Sequence, residues 1–147
     1  MRLKLVGAIV AGILLTALSA APASAITNTI TIGTVTLTNR VLVEVPVTVV
    51  CDPVPDATQS FLGVLVRQAS GRAVATGTAF ETTFGTEPLL FTCDGVTQNH
   101  LVADVLPDPG SPPFHGGGAI ALASFSVGSF STGDSGSTGY IPVTIRG

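Results

Sequence analysis

Two short stretches of the chain spell loops that carry acyl-transfer chemistry in other proteins. "FHGGGA", residues 114–119, has the form of a lipase oxyanion loop, whose glycine amides point at developing negative charge. "GDSG", residues 133–136, has the form of the nucleophile loop of trypsin-like proteases, with Ser135 in the nucleophile's place. Each needs companions. The oxyanion loop works beside a G-x-S-x-G elbow on an α/β sheet, and this chain contains no G-x-S-x-G. The protease motif continues with glycine and proline, whereas Ser137 and Thr138 follow Gly136 here. A triad of His100, Asp104 and Ser135 can be written in that order. His100 and Asp104, however, stand four residues apart on one strand, about 13 Å between Cα atoms. An aspartate that orients a histidine must hydrogen-bond it. Both motifs therefore read as connections. Gly116, Gly117 and Gly118 return a long loop to a strand at Ala119, and "SFSTGDSGSTGY" is a flexible, serine-rich link between the last two strands. No catalytic residue and no cofactor is expected.

Metal chemistry has one weak candidate, Asp52 with Asp94. Each follows a cysteine, so a Cys51–Cys93 bridge would bring both carboxylates to one end of the molecule, where loop oxygens could take calcium. The preferred reading is local: Asp52 opens a proline turn, and Asp94 makes an Asx turn with Gly95. His100 and His115 have no companion ligands in the sequence, and no N-x-S/T acceptor starts at Asn28, Asn39 or Asn99.

The elements that would hold these residues are strands. In "VLVEVPVTVVC", residues 41–51, Val41, Val43, Val45, Val47, Val49 and Cys51 share one face, while Leu42, Glu44, Pro46, Thr48 and Val50 share the other. A slip of one residue would bury Glu44 and Thr48, so the register is well specified. Pro46 cannot donate to a ladder, which predicts an edge or a bulge beside it. Further strands are expected over 28–38, 60–68, 73–80, 88–93, 97–106, 119–130 and 140–146. The turns between them fall at Asn39-Arg40, Gly71 and Asp94-Gly95. The pattern predicts an all-β, immunoglobulin-like sandwich of about seven to eight strands, with an intersheet disulfide between Cys51 and Cys93.

Arg2 and Lys4, the apolar run of residues 5–18 and "ASA" at 23–25 form a cleavable signal peptide over 1–25. The mature domain is then 26–147, one domain with no membrane anchor, in a secreted, oxidising setting that suits a disulfide. It keeps four arginines against nine carboxylates, a net charge of −5, and the arginines are scattered. That excludes the basic footprint of a nucleic-acid binder. With one tyrosine and no tryptophan, it also lacks a stacking platform for carbohydrate.

Cys51 closing a valine strand, "QASGR" at 68–72, "CDG" at 93–95 and "PPFHGGGA" at 112–119 resemble small secreted, single-disulfide, immunoglobulin-like proteins of high-GC Gram-positive bacteria, a group of unknown function. The resemblance implies the fold and the bridge and carries no activity. The expected function is a secreted, non-enzymatic module that binds a protein or envelope partner through loops or a sheet edge. Its contact loop would be Pro112, Pro113, an exposed Phe114 and His115. The alternatives are a small secreted hydrolase using Ser135 with a histidine, and an inhibitor of secreted proteases.

Overall fold

The computed structural model describes residues 28–129 and 132–147. The expected leader, 1–25, lies outside them, as do Phe130 and Ser131 of the serine-rich stretch. The described residues form nine strands and no helix: β1 (Thr29–Ile32), β2 (Thr36–Thr38), β3 (Leu42–Val50), β4 (Gln59–Ser70), β5 (Ala73–Phe84), β6 (Asn99–Pro107), β7 (Gly117–Gly128), β8 (Gly133–Ser137) and β9 (Ile141–Ile145).

They make one curled antiparallel sheet in the order β1-β3-β6-β5-β4-β7-β8, with β2 also on β3 and β9 also on β7. The curl brings its ends together. Leu37 N–H donates to Arg146 O (2.6 Å) and Arg146 N–H to Val35 O (3.0 Å), so the end of β9 runs alongside β2. At the other end, the Asn28 side-chain amide donates to the Asp134 carboxylate, tying the start of β1 to β8. β6 joins β5 through only two residue pairs, Gly77↔Pro107 and Thr78↔Leu106. A side chain at Gly77 would place its Cβ 2.3 Å from the Leu106 carbonyl oxygen, so this junction needs glycine.

The valine strand is as expected from Val43 onward. Val43, Val45, Val47, Val49 and Cys51 are all at most 1 % exposed, and Leu62, Val64 and Val66 of β4 with Ala121, Ala123 and Phe125 of β7 complete the core. Val41 departs from the pattern: it sits in the turn before β3 and is 45 % exposed. Pro46 lies beside a break in the pairing along one side of β3, where an edge or a bulge was expected. Its carbonyl accepts from Gly33 N–H (2.8 Å) in the gap between β1 and β2, so the edge facing that gap has no ladder bond for the missing N–H to make. That gap splits the expected strand 28–38 in two. The hairpin of β4 and β5 closes at Gly71 (φ 60°) as expected.

Two segments differ from the sequence reading. Residues 88–93 form no strand, although Phe91 is buried and packs edge-on against Phe125 with ring centroids 5.6 Å apart. Their backbone finds side chains instead of a ladder: Leu90 N–H donates to Ser60 Oγ (2.8 Å) and Thr92 N–H to Asn99 Oδ1 (2.7 Å). The other is "GDSG", which is β8 and not a flexible link. It pairs along β7 from Ser124↔Ser137 to Gly128↔Gly133.

Candidate functional site

The two catalytic-looking motifs are built into the sheet: "GDSG" is β8, and the glycines of "FHGGGA" lead into β7. In β8 a Cβ at Gly136 would lie 2.6 Å from Phe125 Cε1, so the glycine leaves room for the core ring. Asp134 is held by Asn28, and one of its oxygens also accepts from Ser135 N–H (2.9 Å). Ser135 is exposed opposite Ser126 of β7. The imidazoles have other partners: His100 Nδ1 meets Thr48 Oγ1 (3.0 Å) and His115 Nδ1 meets the Gly116 carbonyl (2.9 Å). His100 shares the outward face of β6 with Val102, Asp104 and Leu106. Gly117 (φ 134°) and Gly118 begin β7 as the partners of Ile145 and Thr144.

Phe114 corrects the proposed contact loop. It is 3 % exposed, part of the core, so it offers no surface; Pro113 and His115 on either side are exposed and Pro112 is half-buried. The cause is Gln68, 2 % exposed on β4. Its amide donates to His115 O (2.8 Å), and its Oε1 accepts from His115 N–H (2.9 Å). Asp108 and Ser111 fasten the start of the loop to the edge of β5, where Asp108 N–H donates to Thr76 O (2.8 Å) and Thr76 N–H to Ser111 Oγ (2.7 Å). The loop therefore seals an edge and a core. Gln68→Ala strands two backbone groups, and urea unfolding should show a loss of about 2–3 kcal/mol with faster proteolysis within 107–118.

The disulfide joins Cys51 to Cys93 as expected, but Cys93 lies in the segment 88–93 that forms no strand, so the bridge ties the end of β3 to a loop and does not join two sheets. Beside it, Asp94 makes the Asx turn read from the sequence: one oxygen accepts from Val96 and Thr97 N–H (2.9 and 2.7 Å), the other from Thr97 Oγ1 (2.6 Å), and Gly95 takes φ 83°. Among the described residues, no group of three or more His, Cys, Asp or Glu side chains is placed to hold a metal. The Thr97 hydroxyl and the two amides pull the Asp94 carboxyl down to about 2 from 3.8. A depressed folded pKa means that this group's contribution is present above about pH 4 and is lost as pH falls from there towards 2. Asp94→Asn should thus unfold earlier in urea than wild type at neutral pH, with the difference closing between pH 4 and 2.

One exposed surface does stand out. On the outer face of β5, β4, β7, β8 and β9, the cross-strand register aligns Phe80 with Gly63 and Ser124, Leu65 with Leu122, and Arg67 with Ile120 and Pro142. Phe80 is 72 % exposed and Phe84 61 %, with Val74, Ile120 and Phe61 between 37 and 48 %. Arg67 is the only charged residue at an outward position of these strands. Two hollows mark the face. One, of about 650 Å³, lies over Ala69, Val74, Ile120 and Pro142; the other, of about 180 Å³, lies between Phe61 and Phe80 over Gly63 and Leu122. The sequence reading missed this surface. Its signal was "FLGVLV", residues 61–66, an apolar run with no polar alternate, which marks a strand covered on both faces.

The fold and site define a disulfide-linked all-β chain with one apolar sheet face open to solvent. Comparison with protein-family models, curated proteins and solved structures gives no match.

Proposed function

We propose that the protein is a secreted, non-enzymatic module of immunoglobulin-like sandwich type that binds a protein or envelope partner through the outer face of β5, β4, β7 and β9. The observation that carries this reading is the row of exposed aromatic and aliphatic side chains aligned across that face, with Phe80 72 % and Phe84 61 % exposed. Contiguous apolar patches of this kind mark interaction sites. The sandwich reading is supported by one core between the valine face of β3 and the inward faces of β4 and β7. Export is supported by the leader-like 1–25 and by the bridge itself. The resemblance to small secreted immunoglobulin-like proteins agrees with both.

The test is retention of medium and envelope proteins on immobilised wild type, Phe80→Glu and Val102→Glu. Val102 is 53 % exposed on the opposite outer face. Partners lost with Phe80→Glu and kept with Val102→Glu support the reading; the reverse pattern overturns it. Labelling of Ser135 by a fluorophosphonate probe would favour the hydrolase instead.

A further inference from the structure

Resting on the reading that the leader is removed on export, we propose that the α-ammonium freed at Ile26 binds the second carboxylate oxygen of Asp134, so that processing completes the tie between β1 and β8. Hydrolysis of the Ala25–Ile26 bond leaves the oxygen of water on the leader's new carboxylate and a protonated amine on Ile26. In the uncut chain the same nitrogen is an uncharged amide.

The first observation behind this is an acceptor without a donor. Asp134 lies opposite Val127, a core residue, so its side chain is on the inward face of β8. One oxygen, Oδ1, accepts both from the Asn28 amide and from Ser135 N–H (2.9 Å). The other, Oδ2, is buried, and among the described residues nothing donates to it. Burying a carboxylate oxygen without a donor is costly, and such groups in folded proteins have a partner.

The second is reach. The Asn28 side chain is held on both sides, its amide by Asp134 and its oxygen by Asp52 N–H (2.9 Å). That fixes Asn28 beside the carboxylate. Ile26 is two residues upstream, and two residues span at most about 7 Å. The amine of a chain that begins at Ile26 is therefore within range of Oδ2.

The third is charge. Arg40 precedes β3, Arg67 and Arg72 lie by the closed end of the β4–β5 hairpin, and Arg146 follows β9 beside the start of β7, so all four arginines sit at one end of the molecule. Asp52 and Asp94, next to the bridged cysteines, and Asp134, beside the end of β7, sit at the other. Lys4, the chain's one lysine, leaves with the leader. The new amine thus brings a cation to an end that has only carboxylates and neutral groups at pH 7.

Acetylation of the exported protein with acetic anhydride decides. Its α-amine is the only primary amine, so mass spectrometry follows a single site. A carboxylate partner holds an amine in its protonated, unreactive form, so folded wild type should react about ten-fold or more slower than the urea-unfolded protein. Asp134→Asn should react near the unfolded rate while its circular dichroism stays that of wild type. Two glycines inserted between Ala25 and Ile26 carry the amine about 7 Å further and leave every described residue in place, and this variant should lose the protection too. Equal rates for folded and unfolded wild type overturn the pairing, as does protection that survives Asp134→Asn. Intact mass separates the two readings: an exported chain that starts elsewhere than Ile26 refutes the leader boundary and the pairing together, whereas a chain that starts at Ile26 and labels freely refutes the pairing alone.

Discussion

Replacing Cys51 and Cys93 together with alanine should lower the unfolding free energy by about 4 kcal/mol. The bridge closes a separation of 42 residues, and in the chain-entropy model a loop of that length restricts the unfolded chain by about this amount. For a domain whose whole stability is in the usual range of 5–15 kcal/mol, the loss is a large fraction. The native side adds to it. Cys51 is fully buried at the end of the valine face, and Gly95 N–H donates to the Cys51 carbonyl (3.0 Å), so the bridge also steadies the Asp94 turn. Urea unfolding of the double variant against wild type measures it; a loss under about 1 kcal/mol would mean that the core holds the two segments together unaided.

The second large effect is at Phe125, which is 2 % exposed and packs on Phe91. Phe125→Ala should cost about 3–5 kcal/mol, the usual toll for deleting a core aromatic. Its coupling to Gly136 is more informative. Gly136→Ala alone forces a methyl group against the ring, at 2.6 Å, and should cost about 1–3 kcal/mol. With Phe125 already alanine the methyl group has room. The double variant should then be more stable than the sum of the single losses by about 1 kcal/mol or more. Strict additivity would mean that Gly136 is not there to admit the ring, and the structural account of "GDSG" would fail.

What the sequence revealed and what it hid divide along a physical line. Val43 to Cys51, the Gly71 hairpin and the Asp94-Gly95 turn were legible because each is set by neighbours a few residues away: alternation, positive φ, a side chain bonding its own turn. The misses depend on distant partners. Phe114 is buried because Gln68, 47 residues earlier, holds the backbone beside it. Residues 88–93 dispense with a ladder because Ser60 and Asn99 supply the bonds. "GDSG" becomes a strand because β7 lies alongside it and Phe125 fills the space over Gly136. The apolar face was half legible: "FLGVLV" showed that β4 has two apolar sides, but only the pairing with β5 and β7 assembles Phe80, Leu65 and Ile120 into one surface.

That surface is the centre of the account, and a photo-crosslinking amino acid placed in turn at positions 80 and 102 interrogates it most directly. Both sites are more than half exposed, on opposite outer faces. Irradiation under native conditions should give a discrete adduct from position 80 and none from position 102. Adducts from position 102 with none from position 80 would contradict it.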